Sequence, residues 1–493
     1  MRAAFFKLWE WVHKHEAALI FIGLFAFSSI WKWLFISYRD ICIDEPFTLF
    51  HSQGGIVDIW NLSSQNEPNP PLFMLIEHYV IQLFGLSAMA VRLPSVIFSS
   101  LTGGFIFLIG KKLFSSQVGI VAALLMIFSS QHFYYGAEAR TYALLYMAAA
   151  ASVYFFFCFA ENPQNRRYFW SLILANMVMV YSHYFGWLVI FSEALVVLLM
   201  WKNKSLLRSW LLNTALQVLF YAPMWIVMIR QLLISGKGTW VQPPHIRDFY
   251  IEMAGMVNGI VAFTLIIILI AAVIIYHFYV SPGQRVLTRN HLYLLVLFIV
   301  PYSLLFMVSF KIPMFLARYF LFVSVSFYLL LTALIWSFSR QIGKWRLVPL
   351  LLLLVIALSS LKVLSKKVYY REVRKAVAYT DELKRGATLI IIHPNPAQLE
   401  YAYYNNRKAF TNPAEFDSLM RSDNILPIWG LNELKEHISE FSFQRIIYFQ
   451  DGSSFYDSNN EVYHYLDSAY SRVDNKFFPE CLNVSAFDVK KGR

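Results

Sequence analysis

Apolar runs of about twenty residues recur through residues 17–364 of this chain, and no other feature limits its fold so tightly. A helix rises ~1.5 Å per residue, so ~20 apolar residues cross the ~30 Å hydrocarbon core of a bilayer. The chain is 58% hydrophobic and only 15% charged, where a soluble chain of this length carries about 25% charged residues. A polytopic α-helical membrane protein follows. The net charge of +12 does not point to nucleic acid. Its lysines and arginines fall in short segments between apolar runs, as the positive-inside rule expects.

Residues 1–16 read as a basic, aromatic cytoplasmic segment at the interface. The first span is about 17–37, with Lys32 near its outer end, where it can snorkel. The first apolar run is long and no small-residue cleavage site follows it, so it reads as a retained span. A polar loop follows. Residues 70–86 are short, and Glu77, His78 and Gln82 interrupt them; a carboxylate at mid-bilayer is costly, so this stretch reads as a surface helix. Ten further spans are expected at about 93–110, 117–136, 142–160, 168–184, 186–201, 210–230, 251–279, 291–310, 319–338 and 347–364. About eleven crossings keep most of the basic loop residues, among them Lys111, Lys112, Arg166, Arg167, Lys202 and Lys204, on the cytoplasmic side. The C-terminus is then extracytoplasmic.

Residues 365–493 are charged and rich in Asn, Asp and Tyr, and contain no span. Segment 369–386 reads as a helix ending at Gly386. LIIIHP and RIIYFQ read as buried strands, and 432–440 and 459–470 as helices. The expected organisation is a cytoplasmic segment (1–16), a transmembrane domain (17–364, with a first extracytoplasmic loop and surface helices over 38–92) and a soluble α/β domain (365–493). The cysteines Cys42, Cys158 and Cys481 lack metal-ligand spacing. A Cys42–Cys481 pair requires both to be extracytoplasmic. The N-x-S sequences at Asn61 and Asn483 are too common to carry weight.

Several polar groups stand at the outer boundary of this topology. YRDICIDEPF places Asp40, Asp44 and Glu45 just after the first span, where a carboxylate with a raised pKa serves as a base and where a plain polar loop is the competing reading. NEPNPPLF brings Glu67 and Asn69 to the start of the surface helix, with the prolines as helix initiators. Arg92 in RLPS either holds a phosphate or snorkels. Glu138 and Arg140, in YYGAEARTYALL, line a pocket or pair with each other. His183 reads as a packing residue. The loop 236–250, with Lys237, Trp240, His245, Arg247 and Asp248, is a lid or a plain connection. Arg318 and Tyr319 open a span where a guanidinium suits a lipid phosphate. Carboxylates and guanidiniums gathered at one bilayer face suit a substrate with a lipid tail, a phosphate and a polar head.

In order, these motifs (IDEPF, NPPLF, RLPS, EARTY, an outer RY and a soluble tail) resemble the GT-C glycosyltransferase superfamily, in particular protein O-mannosyltransferases and lipid A aminoarabinose transferases. The resemblance covers about residues 17–340 and is strongest over 38–146. It implies a polyprenyl-phosphate sugar donor and inversion at the anomeric carbon. It makes Asp44 the candidate base with Glu45 beside it, and Arg92, Arg140, Arg318 and Tyr319 the donor-phosphate group. Glu67, Asn69, His245 and Lys237 are left as substrate or loop contacts. Family members carry His-Pro-Pro where this chain has Asn69-Pro70-Pro71. In the aminoarabinose transferases a glutamate near that point joins a loop histidine at a zinc; here Asn69 stands there, with Glu67 two residues earlier and His245 as the loop histidine on offer, and a divalent metal stays open. Those transferases have an aspartate just past the EARTY motif. Tyr146 stands there in this chain, which leaves the second acidic role to Glu138.

The expected partners are a polyprenyl-phosphate sugar, a lipid, glycan or protein acceptor, and membrane lipids; the expected location is a bacterial inner membrane. A transporter or lipid flippase is the rival class; it calls for inverted repeats and charges near the midplane, and the sequence shows neither, its charges being read at one face. A non-catalytic scaffold presenting the tail is a third.

Overall fold

The computed structural model describes residues 2–37, 39–65, 69–236, 241–362, 371–453, 456–480 and 482–490, with the backbone alone over 2–13 and at 65. The chain divides into two compact units. The first comprises Met1–Leu34, Trp60–Phe73 and Arg92–Val363, and the second Phe35–Ile59, Met74–Val91 and Leu364–Arg493.

The first unit is helical. Each stretch read as a span is helical over most of its described residues, as in Arg2–Trp33, Ala88–Leu113 and Tyr142–Glu161. Several stretches are broken. Residues 117–136 form Ser116–Ile127 and Ser130–Tyr135. Residues 210–230 form Lys204–Phe220 and Ala222–Ser235, bent by 75° where Pro223 opens the second helix. Residues 251–279 form Asp248–Gly255 and Ile260–Val280, interrupted by Asn258 (φ 73) and Gly259 (φ 127). Asn258 repays this interruption. Its Oδ1 accepts from Ser130 N at 2.7 Å, and its Nδ2 donates to Phe128 O (3.0 Å) and Ala357 O (2.9 Å). One side chain thus satisfies backbone groups freed at three other helix ends, which lipid would leave unpaired.

Among the described residues, six helices are long and apolar enough to cross a membrane, or seven if the bent pair is one span. This is fewer than the expected eleven, in part because several apolar helices are short. One of the six, Ala317–Ser359, has 43 residues, about 65 Å of helix or twice the hydrocarbon thickness, and is divided at Gly343 (φ 61). The bundle's exterior carries exposed Ile226, Leu233, Val261 and Ile275, an apolar surface that water would not tolerate at this extent. Inside, a Cβ on Gly110 would lie 2.4 Å from Gly119 Cα, so helices Ala88–Leu113 and Ser116–Ile127 approach at backbone distance.

Two buried polar features depart from the sequence reading. Lys32 is fully buried, not snorkelling, and donates to Ser28 Oγ at 2.7 Å. Glu193, unremarked within an apolar run, anchors a network across four helices. Ser152 Oγ donates to Glu193 Oε1 (2.6 Å), Asn176 Nδ2 lies 3.2 Å from Gln217 Oε1 and 3.4 Å from Glu193 Oε2, and Gln217 Nε2 donates to Asn213 Oδ1 (2.5 Å).

The second unit is built on a five-stranded sheet in the order β2-β1-β3-β5-β4. The strands are β1 (Thr388–His393), β2 (Ile425–Pro427), β3 (Arg445–Asp451), β4 (Ser471–Phe478) and β5 (Leu482–Asp488). β1 runs parallel to β2 and β3; β5 runs antiparallel to β3 and β4. The apolar sequences of β1 and β3 bury both faces, as expected of strands with helices on each side. Leu389, Ile391, Ile446 and Phe487 pack with Leu434, Val462 and Leu466 of helices Leu431–His437 and Glu461–Ala469. On the other face Phe449 meets Tyr401 of helix Ala397–Asn405, with ring centroids 5.3 Å apart. The edge strand β4 is polar and mostly exposed, a composition that discourages further pairing; neither it nor β5 shows the apolar run that marks β1 and β3.

The first loop and the helix Leu72–Phe84 contribute to this second unit. That helix has 13 residues, about 20 Å, too short to cross the hydrocarbon. Tyr403 Oη and Arg407 Nη2 donate to Leu86 O at 2.7 and 2.8 Å. Gln53 Nε2 donates to Phe410 O at 2.9 Å, and Phe50 packs on Phe410 and Phe416.

Candidate active site

In the first unit, the segment between helices Ser130–Tyr135 and Tyr142–Glu161 carries Glu138 and Arg140, both buried. The segment is tight, with Arg140 N donating to Glu138 O at 2.7 Å. Thr141 Oγ1 fixes it by donating to Ser182 O at 2.8 Å, at the end of helix Arg166–Ser182. The next residue, His183, is buried and within electrostatic reach of Arg140 and Arg318. Its Nδ1 accepts from Phe185 N at 3.2 Å, so the neutral ring carries its proton on Nε2.

Arg318 reaches this cluster from the other side. Its guanidinium stands 5.9 Å from the Tyr142 ring centroid and 5.3 Å from that of Tyr319, within cation–π range. Its carbonyl accepts from Tyr146 Oη at 3.1 Å. The Tyr319 ring lies 5.6 Å from His183 and 6.2 Å from Tyr142. Four residues singled out by motif, namely Glu138, Arg140, Arg318 and Tyr319, therefore share one cluster with His183, which the sequence reads as a packing residue. Tyr142, Tyr146 and Thr141 complete it. All three stand in the EARTY motif or just beyond it, and hydropathy alone gives no signal for them.

Three further first-unit candidates lie among the described residues. Arg92 is buried in helix Ala88–Leu113, two residues before Pro94. Asn69 is buried. His245 is exposed, its Nδ1 3.6 Å from Asp248 Oδ2. Glu67 and Lys237 lie outside the described residues, as does Cys481. Among the described residues no group of three His, Cys, Asp or Glu side chains is placed to hold a metal ion.

In the second unit, Asp44 stands at the N-cap of helix Glu45–His51 without capping it through its side chain. It is partly exposed. Glu45 is fully buried, with Oε2 3.4 Å from Arg39 Nη2. Glu77 is fully buried as well, and burial, reinforced by Glu45, raises its carboxyl well above the usual range. Beside Asp44 lies Tyr456, whose phenol is pushed up by burial and then by the aspartate; Trp429 packs edge-on against it at 5.5 Å.

The residue before Asp44 is strained. Ile43 has φ 59, a left-handed conformation that a β-branched residue adopts only under constraint. The constraint is Glu400, a buried carboxyl that accepts the Ile43 N–H. Burial, then Asp451, pushes Glu400 well above the carboxylate range. Arg371 pairs with Asp451 and donates to Glu480 O at 3.1 Å. The sequence carries no local trace of this cluster, because its members are scattered from Arg371 to Glu480.

Residues 68–228, about a third of the chain, match the family model described as dolichyl-phosphate-mannose-protein mannosyltransferase. No curated protein matches the chain by sequence. Among solved structures, ArnT from Cupriavidus metallidurans bound to undecaprenyl phosphate aligns with a TM-score of 0.58 at 12% identity, covering 96% of this chain and 98% of that one. The apo state of the same protein aligns at 0.56 and 12% identity, covering 95% and 98%. The motif-based resemblance to the GT-C superfamily is borne out: the chain takes that fold over nearly its whole length.

Proposed function

We propose that this chain of GT-C fold is a membrane glycosyltransferase that takes a sugar from a polyprenyl-phosphate donor. The observation that carries this reading is the cluster of Arg140, Arg318 and His183 among the rings of Tyr142 and Tyr319. Two guanidiniums and an imidazole N–H suit a phosphate. The rings of Tyr142 and Tyr319 hold the Arg318 guanidinium, and the apolar bundle suits a prenyl chain.

In this reading an acceptor hydroxyl or amine attacks the anomeric carbon in line. The bond from that carbon to the lipid-phosphate oxygen breaks, and the phosphate keeps the electron pair, stabilised by Arg140 and Arg318. The acceptor proton passes to Asp44, the base that the motif resemblance assigns. General base catalysis supplies ~10²–10⁴-fold. Glu45, ion-paired and buried, serves to position its neighbour, and Glu138 takes the second acidic role. Arg92 remains a candidate donor-phosphate contact and Asn69 a candidate substrate or loop contact. The proposed setting is a bacterial inner membrane, with residues 17–364 as the catalytic domain and 365–493 extracytoplasmic.

The test uses purified protein in lipid nanodiscs with radiolabelled polyprenyl-phosphate sugars. Transfer that disappears in Asp44→Asn supports the assignment; unaltered transfer removes Asp44 as the base. The Glu193 network favours a second reading, a transporter, since it places a carboxyl inside an apolar helix. A lipid-flipping assay on the same nanodisc preparation, reconstituted into vesicles, separates the two.

A further inference from the structure

By strand alternation, one face of β3 and β5 carries Ile446, Tyr448 and Gln450 opposite Phe487, Ser485 and Asn483. At Ile446 and Phe487 this face is apolar and covered by helices. Further along, the inward positions turn polar. Tyr448, Ser485 and Asn475 form one row across three strands, and Gln450, Asn483 and Phe477 form the next. Gln450, Asn483 and Ser485 are nonetheless buried. Buried polar groups cost free energy unless they are satisfied or used.

These side chains hold one another in fixed orientation. Asn483 Nδ2 donates to Gln450 Oε1 at 3.0 Å, and Gln450 Nε2 to Ser453 Oγ at 3.0 Å and Asn460 Oδ1 at 3.3 Å. Ser485 Oγ donates to Asn475 Oδ1 at 2.9 Å. Among the described residues Asn483 Oδ1 has no hydrogen-bond partner. A cleft of about 380 Å³ opens over this ladder, within the span of about 300–1,000 Å³ typical of small-molecule sites. Gln450, Asn460, Asn475 and Asn483 line it with amides, and Ser453 and Tyr463 add hydroxyls. Phe477, 75% exposed, forms one wall. Among the described residues no charged side chain lines the cleft.

We propose that this cleft binds a neutral saccharide unit. Pre-oriented amides are matched donors and acceptors for sugar hydroxyls, and an exposed phenyl ring packs against the apolar face of a pyranose. The absence of charge in the lining disfavours phosphates and uronates, whose desolvation it leaves uncompensated. Resting on the transferase reading, the saccharide belongs to the acceptor, so that the second unit docks a glycan-bearing acceptor.

The test is saturation-transfer NMR on the full chain in lipid nanodiscs, free of sugar-based detergent. The probes are methyl glycosides of glucose, galactose, mannose and N-acetylglucosamine, with glucuronate and glucose phosphate as charged controls. At least one neutral glycoside is expected to bind more tightly than either control. Phe477→Ala, at an exposed position that leaves the fold intact, is expected to weaken binding roughly threefold to tenfold. Asn483→Asp is expected to abolish it. Equal signals in wild type and Phe477→Ala, or stronger binding of the charged sugars, overturn the proposal. The outcome is independent of the transferase reading: Asp44→Asn is expected to keep the binding signal while losing label transfer. If label transfer persists while no glycoside binds, the cleft proposal alone fails.

Discussion

One phenol closes both backbone hydrogen bonds of Ile41: Tyr404 Oη accepts from Ile41 N at 2.6 Å and donates to Ile41 O at 3.1 Å. The two residues are 363 positions apart, and Ile41 stands three residues before Asp44. The first loop is thereby held by a side chain of the C-terminal segment.

Tyr404→Phe keeps the ring and removes both partners of the buried Ile41 groups. Each orphaned group costs about 1–3 kcal/mol. The thermal unfolding midpoint is expected to fall, and label transfer with it. Transfer that stays at wild-type level despite the lower midpoint would show that Asp44 needs no such anchor.

Ile43→Gly separates strain from anchoring. Glycine adopts φ near +60° without the Cβ penalty, so relief of about 1 kcal/mol or more opposes the entropic cost of about 0.5–1 kcal/mol. The variant is expected to match or exceed wild-type stability in thermal unfolding, where glycine at an ordinary loop position destabilises.

Glu400 and His51 set opposite pH slopes. Burial raises the Glu400 carboxyl well above its ordinary value of 4.5. Its contribution is therefore complete below that value and lost as pH rises through the folded pKa. Burial lowers His51 from 6.5 to about 4, so its contribution is complete above 6.5 and lost as pH falls towards 4. Glu400→Gln is expected to gain stability relative to wild type as pH rises above 4.5, and His51→Gln to flatten the acid limb between 6.5 and 4. Unfolding midpoints collected across pH 4–9 check both signs.

Arg318→Lys retains the charge but loses the planar fork and its packing over Tyr142 and Tyr319. A drop in kcat on the order of 10² is expected. Tyr146→Phe removes only the bond to the Arg318 carbonyl and is expected to cost about 1 kcal/mol of stability with a much smaller effect on rate. Label-transfer kinetics on both variants distinguish phosphate binding from general packing.

Glu193→Gln keeps one acceptor oxygen for Asn176, while Ser152 can accept from the new amide and donate to Asn176 Oδ1 instead; it is expected to leave label transfer unchanged. Glu193→Leu removes one acceptor each from Ser152 and Asn176 and is expected to lower the unfolding midpoint. Loss of function in Glu193→Gln with an unchanged midpoint would favour the transporter reading, because a proton relay needs the carboxyl.

The sequence by itself determined the class of protein. Apolar length is local, and the helices lie where the runs are. The buried strands β1 and β3 were legible for the same reason, as was the series IDEPF, NPPLF, RLPS and EARTY. Local patterning could not show how residues distant in the chain satisfy one another. It missed the polar edge strand β4 and the ladder on β5, because Asn483 and Ser485 occupy inward positions that periodicity assigns to apolar residues. It read Lys32 as snorkelling and passed over Glu193, since hydropathy averages hide single buried polar groups. Only the tertiary structure decided that Arg140, Arg318 and His183 share one cluster, that Asn258 mends the broken helix ends, and that Glu400 holds Ile43 left-handed beside Asp44. Each is a hydrogen bond or charge pairing across long sequence separation, which carries no periodic signature in the chain.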